Sequence, residues 1–289
     1  MATAWVFPGQ GSQAEGMGAD LSDLPGATEK LAHAQSILGW SLADLTADRL
    51  KQTSYTQPAL FLVSALLADA LKTDRQPTAV AGHSLGEYSA LYCAGVFGFT
   101  EGLELVKQRS QLMATAKEGT MAAVMGFDRP QLEAICGDTD GVVIANDNSP
   151  DQVVLSGDKT AIESAIAAAS PKRSVFLPVS GAFHSPYMAE AADKFAAVLD
   201  AVSFKSASVP VYSNVTATAT TDPDTLKANL RNQVTGSVRW RETVTAMGAA
   251  GIDTVWEVGP GKVLTGLVRR IDRTLTRVNI PDAASIPTL

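Results

Sequence analysis

Residues 78–88 read Thr78-Ala79-Val80-Ala81-Gly82-His83-Ser84-Leu85-Gly86-Glu87-Tyr88. A short apolar run, Thr78 to Ala81, enters the pentapeptide Gly82-His83-Ser84-Leu85-Gly86, and a helix-like stretch from Glu87 to Val96 leaves it. A strand turning sharply into a helix is what a nucleophile elbow requires. Glycines on both sides give clearance, and the turn lifts the serine oxygen above the edge of a sheet. The spacing therefore points to an α/β fold and to covalent acyl chemistry at Ser84.

Working outward, Thr3 to Phe7 reads as a buried strand that ends in Pro8-Gly9-Gln10-Gly11-Ser12-Gln13, where two glycines allow a tight turn. Helical patterns cover Gly26 to Leu38 and Pro58 to Lys72 before the strand that delivers Ser84. Strands alternating with helices imply a parallel, helix-covered sheet whose ligand site lies at the carboxyl ends of the strands. Gln10 and Ser84 fall at that edge. From Thr120 to Ser180 the rhythm becomes strand (Met121–Met125), helix (Pro130–Cys136), strand (Val142–Ala145), strand (Gln152–Leu155), helix (Thr160–Ala169), strand (Ser174–Val179). That βαββαβ order predicts a ferredoxin-like small subdomain over 120–180, inserted into a large α/β subdomain made of 1–119 and 181–289. Ser185 at N-cap and Pro186 at N1 predict a helix over Tyr187 to Val202. The large subdomain then resumes with a strand at Val209–Val215, helices at Asp224–Gln233 and Val238–Ala250, and a strand at Thr254–Val258. Gly259-Pro260-Gly261 turns into a last helix, Lys262–Ile271, and the tail from Asn279, with two prolines, is expected to be loosely held.

The chain has 289 residues, 46% hydrophobic and 18% charged, which fits a globular protein and excludes a disordered or coiled-coil one. Its 23 Lys and Arg against 30 Asp and Glu give a net charge of −7, which argues against nucleic acid as partner. The basic pairs Lys172-Arg173 and Arg269-Arg270 read as solvated charge. The chain runs into its first strand with no basic n-region or signal-length apolar core, so a cytoplasmic location is expected. Its longest apolar stretch, Pro58 to Leu71, is interrupted by Ser64 and Asp69 and is shorter than the ~20 residues that span a bilayer, so no membrane partner is expected. Cys93 and Cys136 are far apart and read as reduced thiols. With three histidines and no His/Cys cluster, no metal site is expected.

A serine hydroxyl needs a base. His83 sits in the extended segment entering the turn, where successive side chains point to opposite faces, so it is not placed to reach the Ser84 oxygen. His33 lies in a polar-flanked helical stretch. His184, in Gly181-Ala182-Phe183-His184-Ser185-Pro186, occupies a strand-to-helix junction like those of Gln10 and Ser84, and placement with elimination makes it the base. No Asp or Glu is obviously placed to orient it, which leaves a backbone carbonyl as orienting acceptor. Glu87 is instead read as a helix cap, because Ser84-Leu85-Gly86-Glu87 matches the capping box S-x-x-E. In the helix Thr100–Lys117 the apolar stripe Leu105, Val106, Leu112, Met113, Ala116 contains Arg109. An inward guanidinium must find an anion, either an internal carboxylate or the carboxylate of a substrate held by a planar fork.

Phe7-Pro8-Gly9-Gln10-Gly11-Ser12-Gln13, Gly82-His83-Ser84-Leu85-Gly86-Glu87-Tyr88, Gln108-Arg109, Ala182-Phe183-His184-Ser185, Asn232-Gln233 and Glu257-Val258-Gly259-Pro260-Gly261 resemble, in order over nearly the whole chain, the malonyl-CoA:acyl carrier protein transacylases. The resemblance implies an α/β-hydrolase-like large subdomain with a ferredoxin-like insertion, Ser84 as the acylated nucleophile and His184 as base. It also implies a backbone oxyanion hole from Gln10 and Leu85, Arg109 on the malonyl carboxylate, and the Gln233 main-chain carbonyl orienting His184. Phe183, directly before the histidine, implies malonyl over methylmalonyl, a selection limited because one methyl group is worth only about 1–3 kcal/mol. Asn146-Asp147-Asn148-Ser149-Pro150 resembles the family's loop facing the cleft. Malonyl-CoA and holo-acyl carrier protein are then the substrates and partners of a monomer serving fatty acid synthesis, with no cofactor. Polyketide synthesis, a serine thioesterase or esterase, and a non-catalytic carrier-binding module are the rivals.

Overall fold

Alternate side chains of the first strand part company: Ala4 and Val6 enter one apolar cluster, Trp5 and Phe7 another, and all four are at most 1% exposed. A strand with period-two burial on both faces belongs in the middle of a helix-covered sheet. The computed structural model, which describes residues 2–116 and 118–286, places it there.

In chain order, β1 (Thr3–Phe7) is followed by α1 (Ala27–Leu38), α2 (Thr53–Lys72), β2 (Ala79–Gly82), α3 (Gly86–Cys93) and α4 (Phe99–Thr115). The second segment comprises β3 (Thr120–Met125), α5 (Arg129–Asp138), β4 (Val142–Ser149), β5 (Gln152–Gly157), α6 (Lys159–Ala169) and β6 (Arg173–Phe176). The chain then returns through α7 (Ala189–Asp200), β7 (Val211–Tyr212), β8 (Ala219–Thr220), α8 (Pro223–Gln233), α9 (Trp240–Ala249), β9 (Thr254–Val258), α10 (Val263–Ile271) and β10 (Thr276–Ile280).

The large sheet runs β10-β9-β1-β2-β7-β8, parallel at every pairing except β7 with β8. Residues of α2, α3, α4 and α7 share a cluster with Trp5, Phe7 and Val80, while residues of α9 and α10 share the other with Ala4, Val6 and Ala81. Phe7 is in register with Gly82, so the turns after β1 and β2 emerge side by side at the carboxyl edge. The second sheet is antiparallel with order β4-β5-β3-β6, the arrangement of a ferredoxin-like unit. On its one face Ala122 and Val124 meet residues of α5 and α6; on the other, Met121 and Ala123 join the cluster of the large sheet.

Several boundaries differ from expectation for physical reasons. The start of the tail is ordered where looseness was expected: Asn279 and Ile280 end a strand, Thr276–Ile280, that pairs in parallel with β9, Ile280 is fully buried, and Asn279 Nδ2 donates to the Gly261 carbonyl at 2.8 Å. Here strand alternation outweighs the prolines that follow; Pro287 to Leu289 lie outside the described residues. The expected strand at Val209–Val215 contracts to Val211–Tyr212, because beyond it Asn214 turns its side chain to the neighbouring turn. Ser185 does cap, its Oγ accepting from the Tyr187 N–H, but the turn it opens is a short 3-10 one over Pro186–Met188, and the α-helix starts only at Ala189. The Asn146–Ser149 segment is not a loop but the end of β4, irregular through two register shifts. The helix carrying Arg109 ends at Thr115; Lys117, expected as its last residue, lies outside the described residues.

Candidate active site

The elbow is closed to any side chain but hydrogen. A Cβ on Gly82 would lie 1.9 Å from the backbone carbon of Gly86, and one on Gly86 would lie 2.0 Å from the carbonyl oxygen of Phe7. Between them Ser84 takes φ 51°, the left-handed region that costs an L-residue about 1–3 kcal/mol. Three contacts hold it there. The Ser84 N–H donates to Asn214 Oδ1 at 2.7 Å, Asn214 Nδ2 donates to the Gly82 carbonyl at 2.6 Å, and Gln233 Nε2 donates to the Ser84 carbonyl at 2.9 Å.

His184 also takes a positive φ, 58°, and is 4% exposed. Its Nε2 lies 2.7 Å from Ser84 Oγ; its Nδ1 lies 2.9 Å from the Gln233 carbonyl oxygen and 3.1 Å from that of Gly236. Carbonyl oxygens only accept, so the ring proton belongs on Nδ1 and the Nε2 lone pair faces the serine hydroxyl. Burial, then the positive charge of Arg109, push the imidazole down to about 3, while the two carbonyls act in the opposite sense. The ring is therefore neutral, with its Nε2 lone pair free to accept the hydroxyl proton. The Gln233 carbonyl stands where an orienting acid was missing in the sequence, and the Gly236 carbonyl joins it without a sequence signal.

Arg109 is fully buried on α4. Nη1 donates to Gln57 Oε1 at 2.7 Å, and Nη2 donates to both Ser84 Oγ and Gln233 Oε1 at 3.1 Å. The Tyr88 ring lies 5.3 Å from the guanidinium carbon. Among the described residues no carboxylate forms an ion pair with it, and its Nε has no partner. Of the two anions left open by the sequence, the internal one is not in contact. Arg109 is thus a buried cation in contact with Ser84 Oγ, and its Nε donor meets no protein acceptor among the described residues.

Gln10 follows β1 and Leu85 precedes α3, in turns that touch: a Cβ on Gly9 would lie 2.3 Å from the His83 carbonyl oxygen. Among the described residues neither the Gln10 nor the Leu85 backbone N–H donates to a protein acceptor. Phe183, 5% exposed, packs in the same apolar cluster as Leu85 and Met113. A cleft of about 440 Å³ opens beside the elbow, lined from the large sheet's side by Gln10, His83, Lys262 and Arg270 and from the small sheet's by Asn146 and Asn148.

The other histidines are engaged elsewhere: His83 Nε2 is 2.8 Å from Asn148 Oδ1, and His33 Nε2 is 2.9 Å from Thr100 Oγ1. Asp147 of β4 pairs with Arg129 of α5 at 2.9 Å and with Arg241 of α9 at 2.7 Å, and the second pair ties the small sheet to a helix packed on the large one. Glu87 corrects the capping-box reading. Its carboxylate does not return to the Ser84 N–H, which Asn214 takes; instead Oε2 accepts from Gln233 Nε2 at 2.6 Å and from the Asn214 N–H at 3.2 Å. The helix starts without a side-chain cap. Asn214, Gln57 and the Gln233 side chain are further members that sequence reasoning missed. Gln57 carried the signal that exposed Arg109, a polar residue on a buried apolar face, and Asn214 stands at the carboxyl edge just past a strand.

With this geometry in view, the likenesses to known proteins are specific. The acyl transferase domain model matches residues 4–289. The malonyl CoA-acyl carrier protein transacylase of Synechocystis sp. is 53% identical over 284 residues, covering 97% of each chain. That of Escherichia coli is 43% identical over 298 residues, covering 97% of this chain and 96% of its own. The crystal structure of the Synechocystis enzyme superposes with a TM-score of 0.97 at 52% identity, covering both chains completely. The chain belongs to the malonyl-CoA:acyl carrier protein transacylases, within the acyl transferase domain family.

Proposed function

We propose that this enzyme moves the malonyl group of malonyl-CoA to the phosphopantetheine thiol of holo-acyl carrier protein through a malonyl-Ser84 ester, supplying malonyl units for fatty acid biosynthesis. One observation carries the reading: Ser84 Oγ lies 2.7 Å from the His184 base and 3.1 Å from an Arg109 that has no ion-pair partner among the described residues. A hydrolase acting on neutral esters has no use for that cation.

His184 Nε2 takes the Ser84 proton as Oγ attacks the thioester carbonyl. The oxyanion sits between the N–H groups of Gln10 and Leu85, each such donor worth about 2.7–4 kcal/mol by comparison with removals elsewhere. The carbon–sulfur bond breaks, His184 returns the proton to the departing CoA sulfur, and the malonyl carboxylate rests on Arg109. In the second half the carrier's thiol gives its proton to His184 and attacks the ester, and Ser84 recovers its proton as the oxygen leaves. Phe183 closes the pocket beside the malonyl methylene. Lys262 and Arg270 at the cleft mouth offer positive charge to the phosphates that both thiols carry.

No metal or cofactor enters these steps, since nucleophile, base and cation are all side chains. The reading includes a cytoplasmic monomer. The unbridged Cys93 and Cys136 suit a reducing compartment. Large exposed apolar side chains among the described residues are limited to Val175, Phe176 and Val263, little for a stable self-interface. The test is to follow labelled malonyl-CoA with holo-carrier present: label accumulating on the carrier supports transfer, and label found only as free malonate makes the protein a thioesterase.

A further inference from the structure

Gln233 is fully buried, and the two ends of its amide have the same shape, so only its neighbours choose which way it points. Nε2 faces acceptors alone: Glu87 Oε2 at 2.6 Å, the Ser84 carbonyl at 2.9 Å and Asn214 Oδ1 at 3.5 Å. Oε1 faces a donor, Arg109 Nη2 at 3.1 Å. Turning the amide over would set oxygen against carboxylate and carbonyl, and NH₂ against guanidinium. The same residue's backbone carbonyl holds His184 Nδ1. Gln233 thus touches all three reacting partners: the imidazole through its main chain, and the nucleophile's backbone and the cation through its side chain.

Glu87 is the ionisable member of this arrangement that the mechanism leaves without a task. It is 1% exposed on α3, three residues after the nucleophile, and its Oε2 accepts from Gln233 and from the Asn214 N–H. Asn214 in turn clamps Ser84 N–H and the Gly82 carbonyl. Resting on the reaction described above, we propose that Glu87 is a positioning residue: by fixing the Gln233 amide it directs Oε1 to Arg109, and so sets the cation's alignment for a carboxylate-bearing acyl group. Nη1 on Gln57 and Nη2 on Gln233 then hold the guanidinium from both ends. The role requires an acceptor oxygen at Oε2 and no net charge on the side chain, so an amide at this position performs most of it.

The experiment measures Ser84 acylation by malonyl-CoA and by acetyl-CoA, which lacks the carboxylate, in Glu87→Leu, Glu87→Gln, Gln233→Leu and the Glu87→Leu/Gln233→Leu double variant of the full chain. Glu87→Leu is expected to lose roughly tenfold with malonyl-CoA, about one buried hydrogen bond, and to lose less with acetyl-CoA, so the malonyl-to-acetyl ratio falls. Glu87→Gln is expected to recover most of that ratio. The double variant is expected to show a malonyl-to-acetyl ratio no lower than that of Gln233→Leu alone, because Glu87 reaches Arg109 only through the Gln233 amide, whereas its contact with the Asn214 N–H bears on the nucleophile's backbone and so on both donors alike. Losses in that ratio that multiply overturn the proposal, as does a Glu87→Gln variant whose ratio falls as far as that of Glu87→Leu, which makes the carboxylate a counter-charge. The second outcome is readable even if Glu87→Leu fails to fold, since Glu87→Gln then shows directly whether charge is required. Failure of the transacylase reading looks different: the unsubstituted chain itself forms no adduct with malonyl-CoA.

Discussion

Ser84 and His184 are 100 positions apart in the chain, meet at 2.7 Å, and both hold a left-handed backbone at φ 51° and 58°. Neither conformation is one an L-residue chooses, and each is fixed by contacts outside its own turn. For Ser84 these are Asn214 and Gln233; for His184, the carbonyls of Gln233 and Gly236. The strain is localised where the hydroxyl and imidazole must be presented, and its cost is offset by neighbouring elements.

Asn214 is the elbow's clamp, so Asn214→Ala leaves the Ser84 N–H and the Gly82 carbonyl without that partner. The expected cost is on the order of 3 kcal/mol, a fall in Tm of roughly 6–12 °C, together with slower acylation. Thermal unfolding and single-turnover acylation check both; an unchanged Tm contradicts the clamp.

Close approach of backbones makes two glycine substitutions diverge. Gly82→Ala drives a methyl to 1.9 Å from Gly86 and is expected to abolish soluble, active protein. Gly137→Ala lies on the exposed side of α5 with nothing near its Cβ, and is expected to stabilise by about 0.5–1 kcal/mol. Soluble yield and activity read the first variant, and chemical denaturation against the unsubstituted protein reads the second.

Arg109→Ala is expected to reduce kcat/KM for malonyl-CoA by about a hundredfold or more, the loss of a buried hydrogen-bonded charge pair. An uncharged acyl-CoA should suffer less, and Arg109→Lys should not restore malonyl transfer, because an ammonium cannot reproduce the planar fork. Equal losses for both donors would remove the carboxylate-clamp role.

The pH dependence follows from two buried groups of opposite sign. His184 is neutral in the fold down to about 3 against an ordinary 6.5, so the unfolded chain takes up that proton first. Its contribution to stability is whole above 6.5 and is lost as pH falls toward 3. Glu87, pushed up to about 7 by burial against an ordinary 4.5, keeps its proton longer in the fold; its contribution is whole below 4.5 and is lost as pH rises through 7. The two oppose each other between 4.5 and 6.5, and His184→Gln is expected to uncover the Glu87 slope, with stability rising as pH falls from 7. For the same reason acylation by an uncharged acyl-CoA should stay level from about pH 8 to about pH 5. Tenfold losses per unit below 6.5 would show an ordinary histidine.

The elements that carry function were legible where local sequence dictates shape. The glycines of the elbow, the βαββαβ rhythm and the guanidinium on an apolar stripe each follow from sterics or periodicity, and they located Ser84, the second sheet and Arg109. Glu87 was misread because its spacing from Ser84 satisfies a local capping rule, while its actual partners, Gln233 and Asn214, are 146 and 127 positions away. The Gly236 carbonyl and the Gln57 amide are likewise set by which segments the fold brings together. Strand β10 was missed because prolines after it mark a chain end, whereas its pairing depends on the edge of β9 that it covers, a partner set by the fold.

The central claim is that Ser84 carries the malonyl group between donor and carrier. Intact-mass measurement of the pure protein after mixing with malonyl-CoA tests it most directly. The account predicts one malonyl adduct, absent in Ser84→Ala and discharged from the unsubstituted protein on adding holo-carrier. An adduct that persists in Ser84→Ala, or none in the unsubstituted protein, would contradict it.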